Sequence, residues 1–145
     1  MSIRLIYTSK AHESCDQIAI DNILLTSQQL NSENEVTGIL YFSNQFFMQY
    51  LEGEKNLVEA TYERIAKDRR HTDLKLVHSN RIETRNFKGW SMAFVPQSER
   101  LTSLNEKYLN SSVFNPADIS SDTALKMVLE LRNELPKAHY ILGHA

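Results

Sequence analysis

The chain has 145 residues, 41% of them hydrophobic and 23% charged, with a formal net charge of −2. That describes one domain able to bury a real core and leaves no electrostatic footprint for nucleic acid. No apolar run approaches the ~20 residues that cross a bilayer, the opening residues enter a strand with no room for a signal peptide, and the single cysteine, Cys15, has no internal disulfide partner, so a cytoplasmic protein with a structural thiol is expected.

Residues 3–9 (Ile3 to Ser9) predict a buried strand. Asp16 opens a helical pattern that places Ala19, Ile23, Leu24, Ser27 and Leu30 near one face, and residues 31–35 are polar and predict a loop. Val36 to Phe42 is nearly continuous in apolar residues, the pattern of a strand covered on both faces. Ser43-Asn44 predicts a hairpin turn into a strand closed by Gly53. A second helix carries Leu57, Val58, Tyr62 and Ile65, with Arg64 and Asp68 one turn apart and able to pair. Residues 74–82 alternate, with Leu74, Leu76, His78, Asn80 and Ile82 on one side, and Trp90 to Val95 predicts a last short strand stopped by Pro96.

This order is the ferredoxin-like βαββαβ plan with an added fifth strand, an α+β fold. Both helices are expected on one sheet face, with the first and third strands as parallel central neighbours that bring Tyr7 beside Gln49. Burying a phenol or an amide without a partner costs roughly 2 kcal/mol or more, so each needs the other or a polar ligand. Residues 1–96 are expected to form this domain, and residues 97–145 a helical extension. In the extension, Phe114-Asn115-Pro116 predicts a turn, and Ser121 or Asp122 caps a helix bearing Ala124, Met127, Val128, Leu131 and Leu135. That helix is expected to cover the bare sheet face, with residues 137–145 frayed.

No glycine-rich phosphate loop, nucleophile elbow or metal-ligand spacing appears, so neither a metal site nor enzyme chemistry is expected. A ferredoxin-like hydrolase of the acylphosphatase kind needs an arginine in a glycine-rich anion loop, and residues 8–14 hold neither.

A set of segments goes further. Arg4-Leu5-Ile6-Tyr7-Thr8-Ser9, Asn31, Val36-Thr37-Gly38-Ile39-Leu40-Tyr41, Phe47-Met48-Gln49-Tyr50-Leu51-Glu52-Gly53, Tyr62 to Asp68, Arg70-His71 and Trp90-Ser91-Met92 stand in this order. Together they resemble the BLUF family, sensors of blue light using FAD, over about residues 2–95. The departures are Tyr50, in place of a small aliphatic residue, and Leu30, where some members carry a second asparagine.

The resemblance implies non-covalent FAD, its ring held between the two helices. It implies that Tyr7 is the photochemical electron and proton donor and that Gln49 links it to the ring. It also implies that Asn31 bonds the polar ring edge, Ile23 and Ile65 pack the ring faces, and Arg64, Asp68, Arg70 and His71 line the pocket. Trp90 and Met92 would sit near Gln49 on the last strand as relay residues. Signalling is then expected to reach an unidentified protein partner, or a change in self-association, through residues 97–135. The alternative is a light-independent flavin-binding or protein-interaction module.

Overall fold

The computed structural model describes residues 1–90, 92–95 and 99–134; the readings made on Pro96, Leu135 and residues 137–145 lie outside them. In chain order the elements are β1 (Ser2–Ala11), α1 (Gln17–Glu33), β2 (Thr37–Ser43), β3 (Phe46–Glu54), α2 (Lys55–Ala66), β4 (His71–Ile82), β5 (Ala93–Val95), α3 (Glu99–Leu109) and α4 (Ser121–Glu134). The strands form one sheet in the order β4-β1-β3-β2-β5.

β1 and β3 are neighbours, as expected, but antiparallel, and Tyr7 lies directly opposite Gln49. The expected parallel pairing fails for a topological reason. Each helical crossover returns the chain to a strand parallel to the one it left, β1 to β2 and β3 to β4. Each such pair is separated by one position, which an antiparallel strand fills. β5 adds in parallel beside β2.

Period-2 alternation sorts the side chains into two cores. Ile3, Leu5, Tyr7, Leu40, Phe47 and Leu51 pack with α1 and α2. Ile6, Ile39, Tyr41, Met48 and Tyr50 pack on the other face with Leu101, Leu104, Met127 and Leu131 of α3 and α4. The covered second face thus involves two helices, and α3 was not resolved by the periodicity.

Local chemistry sets the ends of the elements. Asp16 caps α1, accepting from the Ala19 N–H at 2.9 Å, and Glu54 caps α2 through the N–H groups of Asn56 and Leu57. Helix α1 runs to Glu33, so Asn31 is helical and the predicted loop is shorter; the turn is made at Glu35, with φ +55°. The hairpin turn is Asn44-Gln45, both left-handed (φ +51° and +69°), because Ser43 still pairs with Phe46. Ser120, one residue before the expected cap, accepts from the Thr123 N–H at 3.2 Å and begins α4.

Two register shifts where β1 meets β4 overturn the strict alternation read for residues 74–82. Leu74 packs on the α1/α2 face and Val77 on the other, while Leu76 is 47% exposed. Gly38 marks a close approach: a Cβ there would lie 1.8 Å from the Tyr50 carbonyl oxygen.

Candidate functional site

The buried stripe of α1 is Ile20, Ile23, Leu24, Ser27, Gln28 and Asn31. Its spacing is that of one helix face, but its chemistry changes from apolar to polar in the last turns. Asn31 is completely buried, and neither its amide nitrogen nor its amide oxygen has a hydrogen-bond partner. Leaving such groups unpaired costs about 1–3 kcal/mol each. A buried carboxamide with both ends unpaired matches a ligand edge that both donates and accepts.

A cavity of about 240 Å³ lies between α1, α2 and the sheet, with Ile23 and Ile65 as apolar walls and Tyr7 and Ser27 on its lining. Arg64, Lys67, Asp68, Arg70 and His71 line it too. The fold therefore gathers most of the residues expected of the site. Asn31, Gln49 and Met92 lie outside this lining and are buried.

Gln49 enters through Tyr7. The Tyr7 hydroxyl donates to Gln49 Oε1 at 2.5 Å, and Gln49 Nε2 donates to Met92 Sδ at 3.3 Å. Gln28 Nε2 holds the Met92 carbonyl oxygen at 3.4 Å. Tyr7 is 1% exposed, and burial, reinforced by the Asp68 carboxylate and by Tyr62, drives its phenol well above the ordinary tyrosine range. In its resting state it is a protonated donor whose proton faces a single carboxamide oxygen. The Tyr62 ring lies 5.9 Å away and His71 6.3 Å.

Asp68 does not pair with Arg64. Helix α2 ends at Ala66, so the one-turn spacing is lost, and Asp68 instead takes Arg70, with contacts of 3.0 and 3.1 Å from Nε and 2.6 Å from Nη2. The Arg70 bonds hold the Asp68 carboxyl below the usual carboxylate range. His71 Nδ1 is hydrogen-bonded to Ser9 Oγ at 2.8 Å, and burial lowers its pKa to about 4, so the ring is neutral at neutral pH.

Trp90 departs from expectation. It belongs to the α3/α4 core and meets Phe87 edge-on at 5.5 Å, whereas Met92 belongs to the α1/α2 core and touches Gln49. Strand alternation would put positions 90 and 92 on one face, but β5 begins only at Ala93, so that rule does not reach Trp90.

Several participants were not legible as such. Gln28 lacked a motif, although the polar run of positions 27, 28 and 31 on a buried helix face was a usable signal, and Lys67 stood in the Tyr62 to Asp68 segment without an assigned role. Glu52 looked like part of a strand end, yet it is completely buried. It accepts from Thr37 Oγ1 (2.9 Å), the Tyr50 hydroxyl (3.0 Å), the Asn86 N–H (2.9 Å) and the Phe87 N–H (2.7 Å).

An apolar slot, an unpaired buried amide and a phenol joined to a carboxamide fit a flavin ring, and the fold and site together define a flavin-based light sensor. Residues 2–93 match the family model "Sensors of blue-light using FAD", and the chain belongs to this BLUF family of blue-light photoreceptors. It is 28% identical over 125 residues to photoactivated adenylate cyclase subunit beta of Euglena gracilis, covering 79% of this chain but only 15% of that protein. The photo-activated state of BlsA superposes with a TM-score of 0.81 at 30% identity, covering 90% of this chain and 94% of BlsA. BlrB, a BLUF protein solved in its dark state, gives 0.76 at 25% identity, with 92% and 97% covered. No helix among the described residues is long and apolar enough to cross a membrane.

Proposed function

We propose that this chain is a cytoplasmic, non-enzymatic blue-light sensor whose flavin is FAD, bound non-covalently, with Tyr7 and Gln49 as its photoactive pair. Residues 1–96 receive the light, and residues 97–135 pass the change to a protein partner or to a second copy of the chain. The observation that carries this is the buried 2.5 Å bond between the Tyr7 hydroxyl and Gln49 Oε1, beside the cavity.

When bound, the flavin supplies blue absorption and an electron-accepting excited state. Ile23 and Ile65, on the cavity wall, would hold its ring, and the unpaired amide of Asn31 would answer its polar edge. Arg64, Asp68, Arg70 and His71 line the same cavity; Arg70 is paired with Asp68, so Arg64 would suit a phosphate and the neutral His71 would supply a hydrogen bond. Losing an electron turns the phenol of Tyr7 into a strong acid, and Gln49 Oε1 is the acceptor in reach. An amide both donates and accepts, so Gln49 can take that proton and present a different atom on each side. When the electron returns, what persists is a new hydrogen-bond pattern around Gln49, protected from water by the surrounding core. Met92 is placed to register that change, because Gln49 Nε2 is bonded to its sulfur.

The purified protein should be yellow, with visible bands that shift reversibly to the red under blue light. Mass spectrometry of the released chromophore should give FAD. Tyr7→Phe and Gln49→Leu should each keep the flavin and lose the normal shift; a full wild-type shift in either would remove that residue's role. A yellow protein with no shift would make it a light-independent flavin binder.

A further inference from the structure

The segment that leads into Met92 is gripped by α4 through one side chain. Arg132, in the last turn of α4, donates from Nε to the carbonyl oxygen of Asn86. Its guanidinium carbon also lies 6.0 Å from the Phe87 ring centroid and 5.9 Å from that of Trp90. The N–H groups of Asn86 and Phe87 are fixed from the sheet side by the buried carboxylate of Glu52. From there a main-chain relay runs to the strand: the Trp90 N–H donates to the Phe87 carbonyl at 2.9 Å, and the Gly38 N–H donates to the Trp90 carbonyl at 3.0 Å. Two residues later Met92 meets Gln49.

The opposite end of α4 is pinned elsewhere. Arg4 Nε donates to His78 Nε2 at 2.9 Å, which leaves the His78 proton on Nδ1, where it meets Ser121 Oγ at 2.7 Å. Helix α4 is thus tied to β4 at its start and to the 86–90 segment at its end. Arg132 is the α4 side chain that meets Asn86, Phe87 and Trp90.

We infer that Arg132 is the positioning residue coupling the Gln49–Met92 contact to α4: its bond to Asn86 and its stacking on Phe87 and Trp90 hold the resting arrangement, and light weakens that hold. The inference rests on the proposed photoactive role of Gln49. A hydrogen bond from a charged donor shifts an equilibrium by about tenfold to a hundredfold, enough for a switch and small enough to be reversed.

The test uses the full chain loaded with FAD, as wild type, Arg132→Ala, Arg132→Lys and Asn86→Ala. Amide exchange of residues 84–90 and 121–134 is followed in darkness and under blue light, together with the size of the visible shift and its rate of dark recovery. For Arg132→Ala we expect the wild-type shift, dark exchange of the last turn of α4 raised about tenfold, and no further rise in light. Recovery should slow about tenfold, because return to the resting arrangement no longer reforms the bond. Arg132→Lys should restore part of the dark protection. Asn86→Ala loses a 3.4 Å side-chain bond to the Tyr50 hydroxyl but keeps the main-chain carbonyl that Arg132 grips, so its light response and recovery should stay within about twofold of wild type.

Arg132→Ala with dark protection and recovery within about twofold of wild type would overturn the inference while leaving the photoreceptor reading intact. A wild-type protein without any visible shift would break that reading instead, and the failure would be seen before the variants are compared.

Discussion

The two faces of the sheet are built from the same strands, yet they are satisfied in opposite ways. Along β3, Phe47, Gln49 and Leu51 face α1 and α2, while Met48, Tyr50 and Glu52 alternate to the other side. On the α3/α4 face the polar groups are closed among themselves, and the two oxygens of Glu52 together take four donors. On the α1/α2 face a fully buried Asn31 has both amide atoms unpaired beside a cavity-bearing core. Among the described residues, groups of this cost are left unpaired on this face alone, which marks it as the face kept for a ligand.

Three substitutions or conditions would break or sharpen this contrast. The largest effect belongs to the closed face. Glu52→Ala strips four donors, three of them in buried bonds, of their acceptor and should destabilise the fold by about 4 kcal/mol, measured by urea denaturation. A loss below about 1 kcal/mol would mean that the network is not closed.

The next effect is a pH response on the open face. Burial depresses His71 to about 4 from an ordinary value of 6.5. The unfolded chain therefore binds the proton first. The contribution of His71 is fully present above pH 6.5 and is lost as the pH falls toward 4, by up to about 3 kcal/mol. Denaturation of wild type and His71→Gln across that window should show the wild type falling more steeply. Parallel curves would mean that the ring is solvated.

The smallest effect separates ligand from packing. Asn31→Leu should leave the flavin-free protein equally stable or about 1–2 kcal/mol more stable, and weaken FAD binding about tenfold or more. A destabilised flavin-free protein with unchanged affinity would make Asn31 a structural residue.

Much of this was visible in the residues. Apolar runs and their periods located β1, α1, the hairpin and α2, and the ordered set around Tyr7, Asn31 and Gln49 marked the site. The errors lie where a local rule was carried past its range. Alternation failed across the shifts in β4, which misplaced Leu76, and the resemblance set Trp90 beside Gln49, whereas it packs in the α3/α4 core. Helical spacing was read through the end of α2, which gave Asp68 the wrong partner. Glu52 stood in the Phe47 to Gly53 segment without a role and Arg132 carried no signal, because Glu52 takes two side-chain hydroxyls and two main-chain N–H groups and Arg132 a main-chain carbonyl and two ring faces, partners that no spacing encodes.

By itself the sequence determined the strand and helix periods, the polar turn at the end of the α1 stripe, and the identity of the phenol and carboxamide, because these depend on residue type and near neighbours. Only the tertiary structure decided the antiparallel register that sets Tyr7 opposite Gln49, the choice of Met92 over Trp90 as the neighbour of Gln49, and the grip of α4 on the Asn86 carbonyl. Those contacts join residues tens of positions apart, and their geometry exists only once both cores have packed.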